Sequence, residues 1–202
     1  MEDYKRITLE SYNKHASYFV NYFKDLFDFD TRKEFSLFVS NLRGDKILDL
    51  GCGGVDHALY FKEQGYDVTC VDFSQAMIDI CLAKGLKAQV TDIEDLPFEE
   101  NSFDGVWAVT SLLHVPKGNL SGVISKLSFI LKPEGVLLIC VKEGSGERMV
   151  KDKHDSTERF FAYWKKDELA ALFSKSFDIL EYWEQQPGDT KYLHFLLRNK
   201  KS

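Results

Sequence analysis

The chain has 202 residues, 44% of them hydrophobic and 29% charged, a composition typical of a globular protein with a buried core. It has no apolar run long enough to span a membrane and no signal-peptide pattern at its start, so we expect a cytoplasmic protein without a membrane partner. The net charge of −6 disfavours nucleic acid as a partner, because it opposes attraction to a phosphate backbone.

Two aromatic-rich segments come first and are predicted to be helices, over residues 11–27 and 31–42. They precede the strand-rich part of the chain and carry no domain-sized core of their own. The sequence therefore predicts that residues 1–43 form a helical cover within a single domain that spans residues 1–202.

Alternating strands and helices fill the next part, residues 44–141, which we predict to be the ligand-binding core. Ser74 is a suitable N-cap for the second core helix, and Gly85 is suited to end it. Strands that alternate with helices indicate a mostly parallel sheet with helices on both faces. The predicted strands cover residues 46–50, 67–71, 87–90, 103–109 and 136–141, and the predicted helices cover residues 57–64, 74–84 and 120–131.

The remaining chain is predicted to contain a polar connection over residues 142–163, interpreted as a lid, and a helix with two strands over residues 164–202. The last two strands, residues 177–184 and 192–197, are joined by a short Pro-Gly segment. A link of this length cannot hold a parallel crossover, so these strands should form an antiparallel hairpin. The predicted fold is α/β, a Rossmann-like sheet of seven strands with this hairpin at its end.

The segment Leu48-Asp-Leu-Gly-Cys-Gly-Gly54 is the clearest functional signal, together with Asp72 at the end of the next strand. A buried strand, a glycine turn, a helix and an acid about 20 residues later are typical of a nucleoside pocket. A dinucleotide fingerprint would need a third glycine at position 56, where this chain has Asp56. A carboxylate there would compete with a pyrophosphate for the amides and the dipole of the helix N-terminus. This disfavours a nicotinamide dehydrogenase.

With Asp72, this segment resembles motif I and the acidic position that follows it in class I S-adenosylmethionine (SAM) dependent methyltransferases. From residue 12 to residue 198 the chain is similar to the small stand-alone methyltransferases of the type 11 and type 25 group. The resemblance implies SAM as cofactor, S-adenosylhomocysteine (SAH) as product and a small molecule as methyl acceptor. Val55 departs from the pattern, because relatives usually carry a third glycine there.

The resemblance also implies which residues bind the cofactor. The glycine turn would approach the methionine part, Asp72 would accept hydrogen bonds from the ribose hydroxyls, and Asp92 would accept from the adenine amine. The implied cofactor-binding residues are Tyr12, Asp49, Gly51, Cys52, Gly53, Asp72, Phe73, Asp92, Ile93 and Thr110.

The sequence says less about the residues that bind the methyl acceptor. His114 and Glu143 are candidate general bases, and a structural role for His114 is an equal alternative. Lys142, Arg159 and Tyr163 are candidate acceptor-binding residues, each of which could instead be part of a surface charge pair. The cofactor motifs fit a SAM- or SAH-binding regulatory protein as well as an enzyme, and the oligomeric state stays open.

The four cysteines lack the spacing of a metal site or a disulfide framework. We expect reduced, buried thiols and no metal.

Overall fold

The computed structural model describes residues 2–24, 33–152 and 157–201. The helices are α1 Asp3–Lys24, α2 Lys33–Asn41, α3 Asp56–Glu63, α4 Gln75–Ala83, α5 Leu120–Ile130 and α6 Lys166–Phe173, with a 3-10 helix at Leu112–His114. The strands are β1 Lys46–Leu50, β2 Asp67–Asp72, β3 Lys87–Val90, β4 Phe103–Val109, β5 Leu131–Lys142, β6 Glu147–Lys151, β7 Glu158–Ala162, β8 Phe177–Gln185 and β9 Tyr192–Asn199.

Seven of these strands form one sheet in the order β3-β2-β1-β4-β5-β9-β8. The first five are parallel to one another, and β9 runs antiparallel to both β5 and β8. This confirms the predicted seven-stranded α/β fold with its antiparallel end. The parallel strands direct their carboxyl ends to one edge of the sheet, where such folds bind ligands.

The sheet has an apolar layer on each face. On one face, Phe35 and Phe38 from α2 pack with Phe61 from α3 against the fully buried Trp107 of β4. On the other face, residues of α5 and α6 pack against β4, β5 and β9. Helix α2 is therefore part of the main core.

Local signals account for the boundaries of α4. The Ser74 side chain accepts a hydrogen bond from the Met77 amide at 3.3 Å, which satisfies a free amide of the first turn. Gly85 follows the helix with a φ of +72°, a conformation that glycine adopts without strain. The predicted cap and stop are both confirmed.

Helix α1 begins at Asp3, eight residues before the predicted start at residue 11, so that prediction was wrong. The extra turns bring Tyr4 and Thr8 onto the face that also carries Tyr12, at a spacing of four residues. Non-helical dihedral angles at His15, φ −119° and ψ 22°, kink the helix. Parts of both predicted N-terminal helices, residues 25–27 and 31–32, lie outside the described residues.

Residues 142–163 were predicted to be a polar connection, a lid or a mobile loop, with no strand in it. The absence of strands was wrong, because residues 147–151 and 158–162 form two strands, while residues 153–156 lie outside the described residues. Strands β6 and β7 pair as an antiparallel hairpin, with Val150 opposite Arg159. The hairpin contacts α1, because the Phe160 amide donates to Thr8 Oγ1 at 2.9 Å and the rings of Tyr4 and Phe160 are 4.8 Å apart. Together, α1 and this hairpin lie over the carboxyl edge of the sheet.

Strand β5 also begins earlier than predicted, since the turn at residues 132–135 interrupts its pairing with β4 without ending it.

Across the described ranges, no helix has both the length and the apolar character needed to cross a membrane.

Candidate functional site

A cavity of about 980 Å³ lies at the carboxyl edge of the parallel strands. Its floor is formed by the ends of β1, β2, β4 and β5, and its cover by α1, the β6–β7 hairpin and the turn between β8 and β9. The volume is at the upper end of the ~300–1,000 Å³ typical of ligand sites.

The glycine turn after β1 lines one end of this cavity. The amides of Gly51 and Cys52 donate to the Val71 carbonyl at 2.8 and 3.0 Å, which fixes the turn to the end of β2. Gly51 has a φ of +71°, and a Cβ there would lie 2.4 Å from the Ser111 Cβ, so a larger residue does not fit. Val55 has a helical φ of −54° at the start of α3, and its position therefore needs no glycine.

Asp72 lies beside the turn and lines the cavity. Its two carboxylate oxygens accept hydrogen bonds from the Gly53 amide at 3.0 Å and the Ser74 amide at 2.8 Å. Burial raises the pKa of Asp72 to about 6, although these amide bonds oppose the shift. Each oxygen keeps a lone pair for a further donor, so the carboxylate is oriented to accept from two hydroxyls. Phe73 lines the cavity next to it.

Asp92 and Ile93 line the same half of the cavity, after β3. One Asp92 oxygen accepts from the Glu94 amide at 3.0 Å, and the other pairs with Lys5 Nζ at 2.7 Å. Lys5 also pairs with Glu94 at 2.8 Å, so this lysine attaches α1 to the site. Lys5 was not among the predicted site residues because the helix was predicted to begin too late.

His114, Tyr12 and Arg159 form a hydrogen-bonded chain in the other half of the cavity. His114 Nδ1 lies 2.6 Å from the Phe160 carbonyl, which can only accept, so Nδ1 carries the proton. Burial lowers the pKa of His114 to about 3, so the ring is neutral and its bare Nε2 accepts from the Tyr12 hydroxyl at 2.8 Å. Arg159 donates to the same hydroxyl oxygen at 3.3 Å. The basic nitrogen of His114 is therefore already occupied by Tyr12.

Lys142 and Arg159 bring positive charge to this half of the cavity. Arg159 pairs with Asp152 at 2.6 Å, and both side chains are at most 15% exposed. Lys142 Nζ lies 4.1 Å from the ring centre of Phe161. Burial, with a smaller contribution from Arg159, lowers the pKa of Lys142 to about 8.

Thr110 lines the cavity at the end of β4 with a φ of +58°. A β-branched residue rarely adopts this left-handed conformation, which costs of the order of 1–3 kcal/mol. Its amide donates to the Cys140 carbonyl at 2.9 Å, and this bond to β5 holds the strained backbone in place.

Three of the predicted site residues do not line the cavity. Asp49 is 2% exposed on β1, its Oδ2 atom has no hydrogen-bond partner within the described ranges, and burial raises its pKa well above the usual value. Glu143 lies outside the cavity and pairs with Lys165 at 3.3 Å. Tyr163 packs against Gly144 and the Arg148 guanidinium beyond the end of β7. The cavity brings together Tyr12, Gly51, Cys52, Gly53, Asp72, Phe73, Asp92, Ile93, Thr110, His114, Lys142 and Arg159.

Three of the four cysteines meet below the glycine turn, which their spacing in the sequence did not indicate. The sulfur atoms of Cys52, Cys70 and Cys81 all lie within 4.8 Å of one another, and those of Cys52 and Cys81 are 3.5 Å apart. All four cysteines are buried and none forms a disulfide. Cys52 also lines the cavity.

Residues 48–139 match the model of a methyltransferase domain family. A glycine/sarcosine/dimethylglycine N-methyltransferase from Actinopolyspora halophila is 40% identical over 102 residues, which are 46% of this chain and 18% of that protein. A ubiquinone biosynthesis O-methyltransferase from Xanthomonas oryzae pv. oryzae is 31% identical over 106 residues, 49% of this chain and 44% of that protein. The chain spans less than half the length of these curated relatives.

Solved structures resemble the fold over more of the chain. A 1,6-didemethyltoxoflavin-N1-methyltransferase from Burkholderia thailandensis, solved with 1,6-didemethyltoxoflavin and SAH bound, has a TM-score of 0.77 and 21% identity over 98% of this chain and 90% of its own. A SAM-dependent methyltransferase from Methanosarcina mazei has a TM-score of 0.74 and 20% identity over 81% of this chain and 96% of its own. Residues 48–139 are therefore similar to a methyltransferase domain, and the fold of the chain is similar to that of solved SAM-dependent methyltransferases.

Proposed function

We propose that this protein is an enzyme that transfers a methyl group from SAM to a small-molecule acceptor and releases SAH. The observation that carries this proposal is the Asp72 carboxylate, held by two backbone amides beside the glycine turn at the edge of a large cavity. A carboxylate in this position suits the two hydroxyls of a ribose. Asp56, the first residue of α3, adds a negative charge where a pyrophosphate would need a free helix N-terminus.

The residues present fit the cofactor. Gly51 and Gly53 both line the cavity and carry no side chain, so the backbone of the turn borders the ligand space directly. We assign the methionine part of SAM to Gly51 and Gly53, the ribose to Asp72 and Phe73, and the adenine to Asp92 and Ile93. Tyr12 and Thr110 line the cavity next to this half and would contact the sulfonium end.

The bound cofactor supplies a methyl group that is already electrophilic, so the chain's own residues mainly bind, orient and exclude water. Alignment of two bound reactants can contribute about 7–11 kcal/mol to the rate. Helix α1 and the β6–β7 hairpin contribute to this by covering the cavity, which supports the proposed role of residues 142–163 as a lid. Opening of this cover would admit and release the ligands.

We assign His114 a positioning role. Its Nδ1 proton is committed to the Phe160 carbonyl and its Nε2 to Tyr12, so the ring fixes the Tyr12 hydroxyl in the cavity. A direct role as general base would require Tyr12 to move away. Glu143 pairs with Lys165 outside the cavity, and this geometry gives no support to its proposed role as a base.

The acceptor class is proposed from the cavity and from the relatives. The space beside the assigned cofactor half is lined by Phe161, Tyr192 and polar groups, which suits a small molecule better than a polymer. The names of the relatives include glycine derivatives, a ubiquinone biosynthesis step and a sterol, so the acceptor's identity does not follow from them. The cytoplasmic location stays a prediction.

The test is SAH production by the purified protein with SAM and a panel of small amines, phenols, carboxylic acids and N-heterocycles. We expect SAH to appear only when an accepted panel member is present, with Asp72→Asn much less active at subsaturating SAM. SAH binding without acceptor-dependent SAH formation would instead favour the SAM- or SAH-binding regulatory protein.

A further inference from the structure

We propose that the methyl acceptor carries an ionised acidic group, such as a carboxylate or phenolate, which pairs with the Lys142 ammonium. This assignment rests on the proposed methyltransferase function and names the acceptor class for the same cavity. It depends on the position of Lys142, the charges around it and its distance from the assigned cofactor half.

Lys142 lacks an ionic partner where other cations of the cavity have one. Within the described part of the chain its ammonium makes no hydrogen bond and no ion pair within 4 Å, and it contacts the face of Phe161 at 4.1 Å. Asp152, which pairs with Arg159, acts on it only from a longer distance. By contrast, Arg159 pairs with Asp152 at 2.6 Å and Lys5 pairs with Asp92 at 2.7 Å. Among these three cations, Lys142 is thus the one that no carboxylate contacts directly.

Such a charge is costly in a partly desolvated position. Burial and the nearby Arg159 lower the pKa of Lys142 to about 8, although the charge of Asp152 opposes this shift. Attraction to the Phe161 ring offsets part of this cost. A perturbed, unpaired ammonium facing a cavity is a common feature of ligand sites, and an anionic ligand group would complete its coordination.

The position of Lys142 favours the acceptor over the cofactor as the source of this anion. Lys142 ends β5, and β4 lies between β5 and the glycine turn of β1. Two strand spacings separate them, roughly 10 Å. Lys142 lies opposite Tyr192 in β9, and Tyr192 and Phe161 both line the cavity there. Flat apolar surfaces around one cation fit a planar acidic group, for example an aromatic acid.

The test compares matched acids and amides by titration calorimetry on the SAH-saturated protein. The probes are benzoate against benzamide and 4-hydroxybenzoate against 4-hydroxybenzamide. We expect an acid to bind at least tenfold more tightly than its amide, and Lys142→Met to weaken acid binding by about tenfold to a hundredfold, as for the loss of a charge-assisted hydrogen bond. Lys142→Met replaces the side chain by an apolar one of similar length, so its thermal midpoint should not fall.

Two controls test whether the effect belongs to Lys142 and to the acceptor half of the cavity. Lys175→Met removes an equal charge from an exposed position outside the cavity and should change acid binding by less than twofold. SAH should bind Lys142→Met within about threefold of the unsubstituted protein.

The assignment would be overturned by equal binding of acids and amides, by acid binding that survives Lys142→Met, or by a loss of SAH affinity that matches the loss of acid affinity. The last result would assign Lys142 to the cofactor's own carboxylate. Failure of SAH to bind the unsubstituted protein is a different outcome, since it would overturn the proposed function first.

Discussion

Substitution of Asp72 by asparagine should affect cofactor binding and protein stability in opposite directions. The carboxylate accepts from the Gly53 and Ser74 amides and lines the cavity, where it is assigned to the ribose. Without ligand, it is a buried negative charge whose pKa is raised from 3.8 to about 6. Its ionisation at neutral pH therefore destabilises the folded protein, and that cost is absent below pH 3.8 and complete above about pH 6.

The magnitudes follow from this shift. A difference of about two pKa units corresponds to ~3 kcal/mol against the folded state at pH 8. The amide of asparagine loses one of the two acceptors, which costs ~1 kcal/mol. The ligand-free variant should be more stable by ~1–2 kcal/mol, a rise in Tm of a few degrees for a domain of this size. SAH affinity should fall about a hundredfold, because charge-assisted bonds to two hydroxyls are lost.

Calorimetry with SAH and thermal unfolding at pH 8 and pH 4.5 measure both effects. The stability gain should shrink at pH 4.5, where the folded protein already carries Asp72 protonated. Asp79→Asn, the same change at an exposed position of α4, should leave Tm within about 1 °C and SAH affinity unchanged. A marked loss of stability in Asp72→Asn with unchanged SAH affinity would contradict both the ribose assignment and the cost of the buried charge.

The other predictions concern His114, Thr110 and the cover of the cavity. The folded pKa of His114 is about 3, so the contribution of its neutral ring to stability is present above pH 6.5 and is lost as the pH falls toward 3. His114→Gln should therefore reduce the difference between the urea unfolding free energies at pH 7 and pH 5 by ~2 kcal/mol. An unchanged difference would contradict the assignment of a buried, neutral ring to His114. Thr110→Gly should raise the unfolding free energy by ~1 kcal/mol at pH 7, because glycine relieves the positive φ, and a large decrease would show that the side chain stabilises the turn. Thr8→Val should slow turnover and speed hydrogen exchange of the Phe160 amide, because it removes the hydrogen bond between α1 and the β6–β7 hairpin. Unchanged exchange would show that this hydrogen bond does not hold the hairpin against α1.

The sheet could be predicted from the sequence because its strands are short apolar runs separated by strong local signals. The glycine turn, the Ser74 cap and the Pro-Gly segment each determine local backbone geometry with little help from the rest of the chain. Asp72 could be predicted for the same reason, since its position depends only on the end of β2 beside that turn.

The acceptor side was harder to predict because it depends on which face of a strand each residue occupies. Lys142 and Glu143 are adjacent, and side chains alternate across a strand, so only one of them can face the cavity. In the folded chain that residue is Lys142. Tyr163 lies past the end of β7, and Asp49 is buried on β1.

Contacts between distant segments could not be read from the sequence. Half of the residues in β6 and β7 are charged and the two strands lack clear apolar alternation, so the sequence pattern does not indicate them. In the folded chain the hairpin contacts α1. The meeting of Cys52, Cys70 and Cys81 depends on how α4 packs on β2. The position of Lys5 in the site could have been predicted. The four-residue spacing of Tyr4, Thr8 and Tyr12 already indicates that α1 begins earlier and includes Lys5.

An adenosyl site for SAM and its product in this cavity is the basis of the proposed function. Titration calorimetry of the unsubstituted protein with SAH, and separately with NAD, is a direct test of that site. We predict saturable binding of one SAH per chain with a Kd of roughly micromolar order and no binding of NAD. Binding of NAD without binding of SAH would show that the cavity is not an adenosyl sulfonium site.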